Sequence, residues 1–270
     1  MVILSLLLLT LLTGCYGVHD PVRIALLAPF EGRYRDIGYS ALYPARLALA
    51  DSNTRVELLP IDDGGSVMNA IDRAKALSRD PRVRMVVVLG YDAADSQVQA
   101  AFGDTPMVIV GGWVEARAAE NVFILSSADI PAELDSSGRL DLTDAARVAA
   151  PYTGGDVFAL PGFVELRPDA SGVTVLSSGS LPQPDFVQRI QASDPFAVSP
   201  GLLGTLTYDA VRMAVQTALT PDPLATLRAV QYEGLNGSIQ FDASGFWRNA
   251  PINSYRYNGD GVLIPANPGQ

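Results

Sequence analysis

Ile24-Ala25-Leu26-Leu27-Ala28-Pro29-Phe30-Glu31-Gly32 is the stretch on which the fold turns. Arg23 to Ala28 is too short an apolar run for an ordinary helix and suits a strand covered on both faces, which Pro29 then ends. A loop from Pro29 to Asp36 leads into an apolar-periodic stretch from Gly38 to Asp51, so strand, loop and helix follow in order.

The same unit recurs downstream. Arg55 to Ile61 reads as a second strand, ending at Asp62-Asp63-Gly64-Gly65, and Ser66 caps a helix whose Val67, Ala70, Ile71, Ala74 and Leu77 share one face. The repeat of about 30 residues is the length that a parallel βαβ crossover requires. Arg84 to Leu89 is a third, fully apolar strand, Ala94 to Phe102 a short helix, Pro106 to Val110 a fourth strand and Val122 to Leu125 a fifth. Such runs define an α/β chain with a doubly wound, mostly parallel sheet.

After Leu125 the texture changes. Ser126 to Pro151 is rich in Asp, Ser and Ala with one expected helix, Thr143 to Ala150, and a lobe boundary falls here. Beyond it, Asp156 to Leu160 and Gly172 to Leu176 read as short strands, and Asp185 to Gln191, Leu202 to Leu219 and Pro223 to Val230 as helices. Gly237 to Phe241, Ile252 to Tyr257 and Val262 to Ile264, separated by Asp242-Ala243-Ser244-Gly245 and Asn258-Gly259-Asp260-Gly261, predict a C-terminal β-meander.

Composition removes several functions. A formal charge of −10, with Lys75 the single lysine, leaves no basic stripe to track phosphates, so nucleic acid is not an expected partner. His19 is the lone histidine and Cys15 the lone cysteine, which leaves no Ser-His-Asp or Cys-His nucleophile and no histidine-rich metal site. The carboxylates Asp92 and Glu115 have no nucleophile or base at suggestive spacing, so an enzyme is not expected, nor a cofactor or metal.

The N-terminus carries an address. Met1 to Leu12 is almost unbroken apolar sequence, and Tyr16, His19 and Asp20 stop it short of the ~20 residues that cross a bilayer. Leu12-Thr13-Gly14-Cys15 resembles the bacterial lipobox, in which the cysteine receives a diacylglycerol and becomes the first mature residue. The resemblance implies lipidation at Cys15 and an extracytoplasmic protein anchored to a membrane, with more than one acyl chain giving stable attachment.

Three stretches carry a second resemblance. Ile24 to Gly32 with Gly38 and Ala45 to Asp51 come first, Val56 to Asp62 with Ala70 to Gly90 second, and Tyr208-Asp209-Ala210-Val211 with Gly234 to Gly245 third. In this order they resemble the type I periplasmic binding proteins, in the leucine/isoleucine/valine-binding branch that feeds ABC transporters. The resemblance implies two lobes around a hinged cleft that closes on a small polar solute, with an ABC permease or a membrane sensor as partner. The span from Leu125 to Gly172 is short for a full second lobe. The expected organisation is a leader over 1–14, a tether over 15–22, an N-terminal lobe over 23–127 with parts of 200–270, and an abridged second lobe and crossover over 128–199.

Loops after parallel strands present unpaired backbone N–H groups to ligands. The ligand-binding candidates are Tyr34 after the first strand, Tyr91, Asp92, Ala93 and Ala94 after the third, and Gly111, Gly112 and Trp113 after the fourth. Tyr208 joins them because the family brings that helix near the hinge. Amino-acid binders of this branch use hydroxyl side chains after the third and fourth strands, and here those hydroxyls are missing. An α-amino acid therefore does not carry over, and Asp92 and Glu115 point instead to a cationic or neutral solute. The expected function is a lipid-anchored solute-binding protein taking an amino-acid-like or related metabolite. A degenerate binding fold serving as a sensory or protein-interaction lipoprotein is the second reading.

Overall fold

The computed structural model of the chain describes residues 20–136 and 138–266, so Cys15 and the lipobox and leader expected from the sequence lie outside the described residues. Five parallel strands form the first sheet: β1 Val22–Ala28, β2 Val56–Asp62, β3 Val83–Val88, β4 Met107–Val110 and β5 Val122–Leu125. Their spatial order is β2-β1-β3-β4-β5, with Leu27 of β1 opposite both Ile61 and Val88. This is a doubly wound sheet whose order reverses between β1 and β3.

Strand alternation explains the two apolar layers. Ile24, Leu26, Val87, Val108 and Phe123 face helices α1 (Arg35–Ser52) and α8 (Leu202–Ala218), while Ala25, Leu27, Val86, Ile109 and Ile124 face α2 (Val67–Arg79) and α3 (Ser96–Ala101). Ile24 to Ala28 are fully buried, as the unbroken apolar run requires. Ser66 caps α2 as expected, its hydroxyl accepting from Asn69 N at 3.3 Å. Near the start of α1, a Cβ at Gly38 would lie 2.0 Å from the Pro29 carbonyl oxygen, so only glycine lets the helix seat this tightly against the loop after β1.

The second sheet is smaller and mixed. Strands β6 (Tyr152–Gly154) and β7 (Val173–Ser177) run parallel, and β10 (Asn253–Tyr257) and β11 (Leu263–Pro265) continue antiparallel in the order β11-β10-β7-β6. Short helices α4 (Ile130–Glu133), α5 (Leu142–Arg147) and α6 (Phe163–Leu166) belong to this half, while α7 (Pro184–Ser193) packs against α1. Its core is a run of rings: Tyr152 stacks on Phe158 at 5.1 Å, and Phe163 lies 5.7 Å from Phe158 and 5.4 Å from Tyr257.

The chain passes between the halves three times, after β5, before α8 and before β10. Polar side chains stitch these passages together: Ser127 N donates to Ser178 Oγ at 2.9 Å, Thr205 Oγ1 to the Ser180 carbonyl at 2.9 Å and Tyr255 OH to the Gly179 carbonyl at 2.7 Å. The C-terminal strands divide between sheets. β8 (Tyr232–Gly234) and β9 (Gly237–Ile239) form their own hairpin, Phe246 bridges to Ile124 at the edge of β5, and only β10 and β11 join the second sheet.

The structure departs from the sequence reading in the second half. Asp156 to Leu160 is no strand; Asp156–Ala159 is a 3-10 turn, and the strand is the preceding Tyr152–Gly154. An apolar segment this short carries no decisive period, and here Val157 and Phe158 bury inward from a tight turn.

Candidate functional site

At the reversal of strand order, the carboxyl ends of β1 and β3 open a crevice of the kind in which doubly wound sheets hold ligands. Asp62, at the end of β2, shapes one wall. Its Oδ1 accepts from Phe30 N at 2.7 Å and Glu31 N at 3.0 Å, and its Oδ2 from Gly64 N at 2.9 Å, which fixes the loop after β1. Asp63 beside it is buried and accepts from Gly65 N at 2.8 Å. Burial, with Asp62 and Asp92 nearby, raises its carboxyl to about 6.

A row of three rings, one from each of the segments after β1, β3 and β4, runs into the crevice. Tyr34 meets Tyr91 edge-on at 5.4 Å, and Tyr91 meets Trp113 edge-on at 5.0 Å. The Trp113 indole N–H donates to the Val110 carbonyl at 2.5 Å, which locks the ring over the end of β4. Burial raises the Tyr91 phenol to about 12.

Tyr91, Gly112 and Trp113 face Leu134, Asp156 and Phe158 of the second half across a cavity of about 170 Å³. Asp156, 9% exposed, is the charged group set deepest in its wall. Its Oδ1 accepts from Ser177 Oγ at 2.5 Å and its Oδ2 from Gly112 N at 3.4 Å, while burial pushes its carboxyl above the ordinary range.

Ion pairs tie the halves together beside the cavity. Arg139 donates to Asp92 at 2.6 Å, approaches Asp95 at 3.6 Å and lies 5.8 Å from the Tyr91 ring centre. In the opposite direction, Arg33 from the first half reaches Asp141 at 2.9 Å and Asp144 at 2.5 Å.

Of the residues singled out from sequence, Tyr91, Gly112 and Trp113 line the cavity, and Tyr34 backs Tyr91. Asp92 is buried against Arg139, which neutralises it, so it offers no free charge to a cationic solute. Ala93 and Ala94 are buried in the apolar layer with α2 and α3, and Gly111 is buried behind Asp156. Tyr208 lies elsewhere: its hydroxyl donates to Asp51 at 2.7 Å and its ring meets Phe186 at 5.3 Å. Its helical phase turns it toward α1 and α7, away from the crevice. Glu115 lies at the exposed rim of the cavity.

Asp156, Arg139 and Phe158 were not singled out. They come from the segment with least periodicity, and only the tertiary fold brings them opposite β3 and β4. Among the described residues, no three His, Cys, Asp or Glu side chains gather as a metal-ligand set, and no helix is long and apolar enough to cross a membrane.

No protein-family profile matches the chain, and no curated protein matches it in sequence. Solved structures do match. A leucine binding protein of Thermotoga maritima superposes with a TM-score of 0.70 at 14% identity, over 91% of this chain and 98% of that one. A branched-chain amino acid transporter substrate binding protein of Streptococcus pneumoniae, in complex with isoleucine, gives 0.67 at 14% identity, over 90% and 98%. An ABC transporter solute binding protein of R. palustris, in complex with benzoate, gives 0.66 at 13% identity, over 92% and 96%. The chain has the type I periplasmic binding protein fold, as the order of its strand and glycine segments implied.

Proposed function

We propose that this chain is an extracytoplasmic solute-binding protein that holds a small polar solute in the cavity between its halves and performs no chemistry on it. The observation that carries the reading is the cavity bounded by Tyr91, Trp113 and Asp156, beyond the carboxyl ends of β3 and β4 and beside the switch point between β1 and β3. Fold neighbours that hold isoleucine or benzoate support it. Lobe one is then the half with the five-stranded sheet, joined by α7; lobe two is the rest of 128–199 together with β10 and β11. An ABC permease is the partner that would receive the solute, and lipid on Cys15 would keep the receptor beside it.

Thermal denaturation in the presence of amino acids, amides, sugars and polyamines tests the binding role. A solute at one hundred times its dissociation constant adds about 2.7 kcal/mol to stability. The anchor is tested by labelling cells with a lipid precursor: wild type takes label and Cys15→Ala does not, and unlabelled wild type refutes the anchor.

A second reading has its own support. Arg139 on Asp92 and Arg33 on Asp141 and Asp144 bolt the halves together through the chain's own side chains. A fold bolted in this way suits a sensory or protein-interaction lipoprotein, and a stability that no solute moves would favour it.

A further inference from the structure

We infer that the cavity selects a small organic cation, whose ammonium group sits on Asp156, and turns carboxylates away; this rests on the solute-binding role proposed above.

The reasoning starts from charge. A buried carboxylate is costly unless it is paired, and an ionised one has about four lone-pair sites to fill. Two donors reach Asp156, the Ser177 hydroxyl and the more distant Gly112 N–H, and among the described residues no arginine or lysine makes an ion pair with it. Arg139, which also lines the cavity, is held by Asp92 and Asp95. Glu115 adds a second carboxylate at the rim.

The backbone N–H after β4 is where a solute carboxylate could otherwise settle. Asp156 Oδ2 already faces it at 3.4 Å, so an anionic solute meets two carboxylates and loses that donor. An ammonium group instead supplies the missing charge and donors through a short charge-assisted bond. The rest of such a solute lies against Tyr91, Trp113, Phe158 and Leu134, and the two rings nearest β3 and β4 favour a cation electrostatically. A dry cavity of about 150 Å³ accepts benzene, so about 170 Å³ suits a solute of roughly that size carrying one amine.

The test uses probes of one shape and three charges: benzylammonium, benzamide and benzoate, with leucine as a zwitterion. Each is titrated calorimetrically into the mature chain and into Asp156→Asn at pH 8. Benzylammonium should bind at least tenfold more tightly than benzamide, benzoate should not bind, and Asp156→Asn should lose about 10–100-fold for benzylammonium with benzamide little changed. Should Asp156→Asn fail to fold, wild type serves alone: benzylammonium should still bind at least tenfold more tightly than benzamide, and benzoate should not bind. Tyr91, Tyr255, Arg139 and Glu115 are the other ionisable groups around it, and Glu115→Gln separates the rim carboxylate from Asp156. Benzoate or leucine binding without benzylammonium overturns the inference and leaves the solute-binding role standing. Benzylammonium binding that survives Asp156→Asn unchanged, or that is no tighter than that of benzamide, also overturns it. Silence from these probes and from the wider solute panel overturns the inference and the role together.

Discussion

Arg139 reaches from one half of the molecule to Asp92 at the head of the other, 2.6 Å from its carboxylate, and so closes one end of the crevice. The arginine is about half exposed, while the Asp92 side chain retains only 10% exposure. The pair's value therefore lies mostly in what its loss would strand.

Replacing Arg139 with glutamine leaves the Asp92 carboxylate buried without its cation. We expect a loss of about 1–2 kcal/mol, below the cost of stripping a fully buried pair because the arginine is partly solvated. Urea denaturation of wild type and Arg139→Gln measures it, and a change below about 0.3 kcal/mol would show that Asp92 finds solvent when the arginine is gone.

Asp63 makes stability depend on pH. Its folded value of about 6 lies above the ordinary 3.8, so between about pH 4 and pH 6 the folded protein holds a proton that the unfolded chain releases. This contribution is fully present below that window and is lost as pH rises through it. Asp63→Asn keeps an oxygen for Gly65 N and removes the titration. From pH 4 to pH 7, wild type should lose on the order of 2–3 kcal/mol more stability than the variant. Parallel denaturation curves at the two pH values would refute this.

Gly234, the last residue of β8, makes a close contact with Asp209 of α8. A Cβ at Gly234 would stand 2.4 Å from Asp209 Cγ, and that buried carboxylate accepts from Leu235 N at 2.9 Å, Asn236 N at 3.0 Å and Asn236 Nδ2 at 2.7 Å. Gly234→Ala should displace the carboxylate and cost about 2–4 kcal/mol. The midpoint of thermal unfolding checks it, and an unmoved midpoint would mean that the hairpin shifts freely.

Sequence made the first half legible because its strands are buried on both faces. Ile24 to Ala28 and Met85 to Leu89 are fully buried, which leaves no room for polar alternation and marks each strand as one apolar run. Ser66 announced its helix through local chemistry that needs no tertiary context. The second half offered no such signals. Tyr152–Gly154 and Tyr232–Gly234 are each three residues long, and Asp156–Ala159 resembles a strand in composition although it winds as a turn. The site was half readable for the same reason. Tyr91 and Trp113 follow strands whose ends were plain, whereas Asp156 and Arg139 face them only through chain passages between the halves.

Trp113 provides the most direct test of a solute held in this cavity. The described residues contain two indole N–H groups: Trp113 lines the cavity, and Trp247 is buried with its N–H on the Ser238 carbonyl at 2.9 Å, outside the cavity wall. Their two signals in a ¹⁵N-correlated NMR spectrum, assigned through Trp113→Phe, serve as reporter and control. Solute titration should move the Trp113 signal saturably and leave Trp247 in place. A Trp113 signal unmoved by every solute in the panel, or a solute that moves Trp247 alone, would contradict binding between the halves.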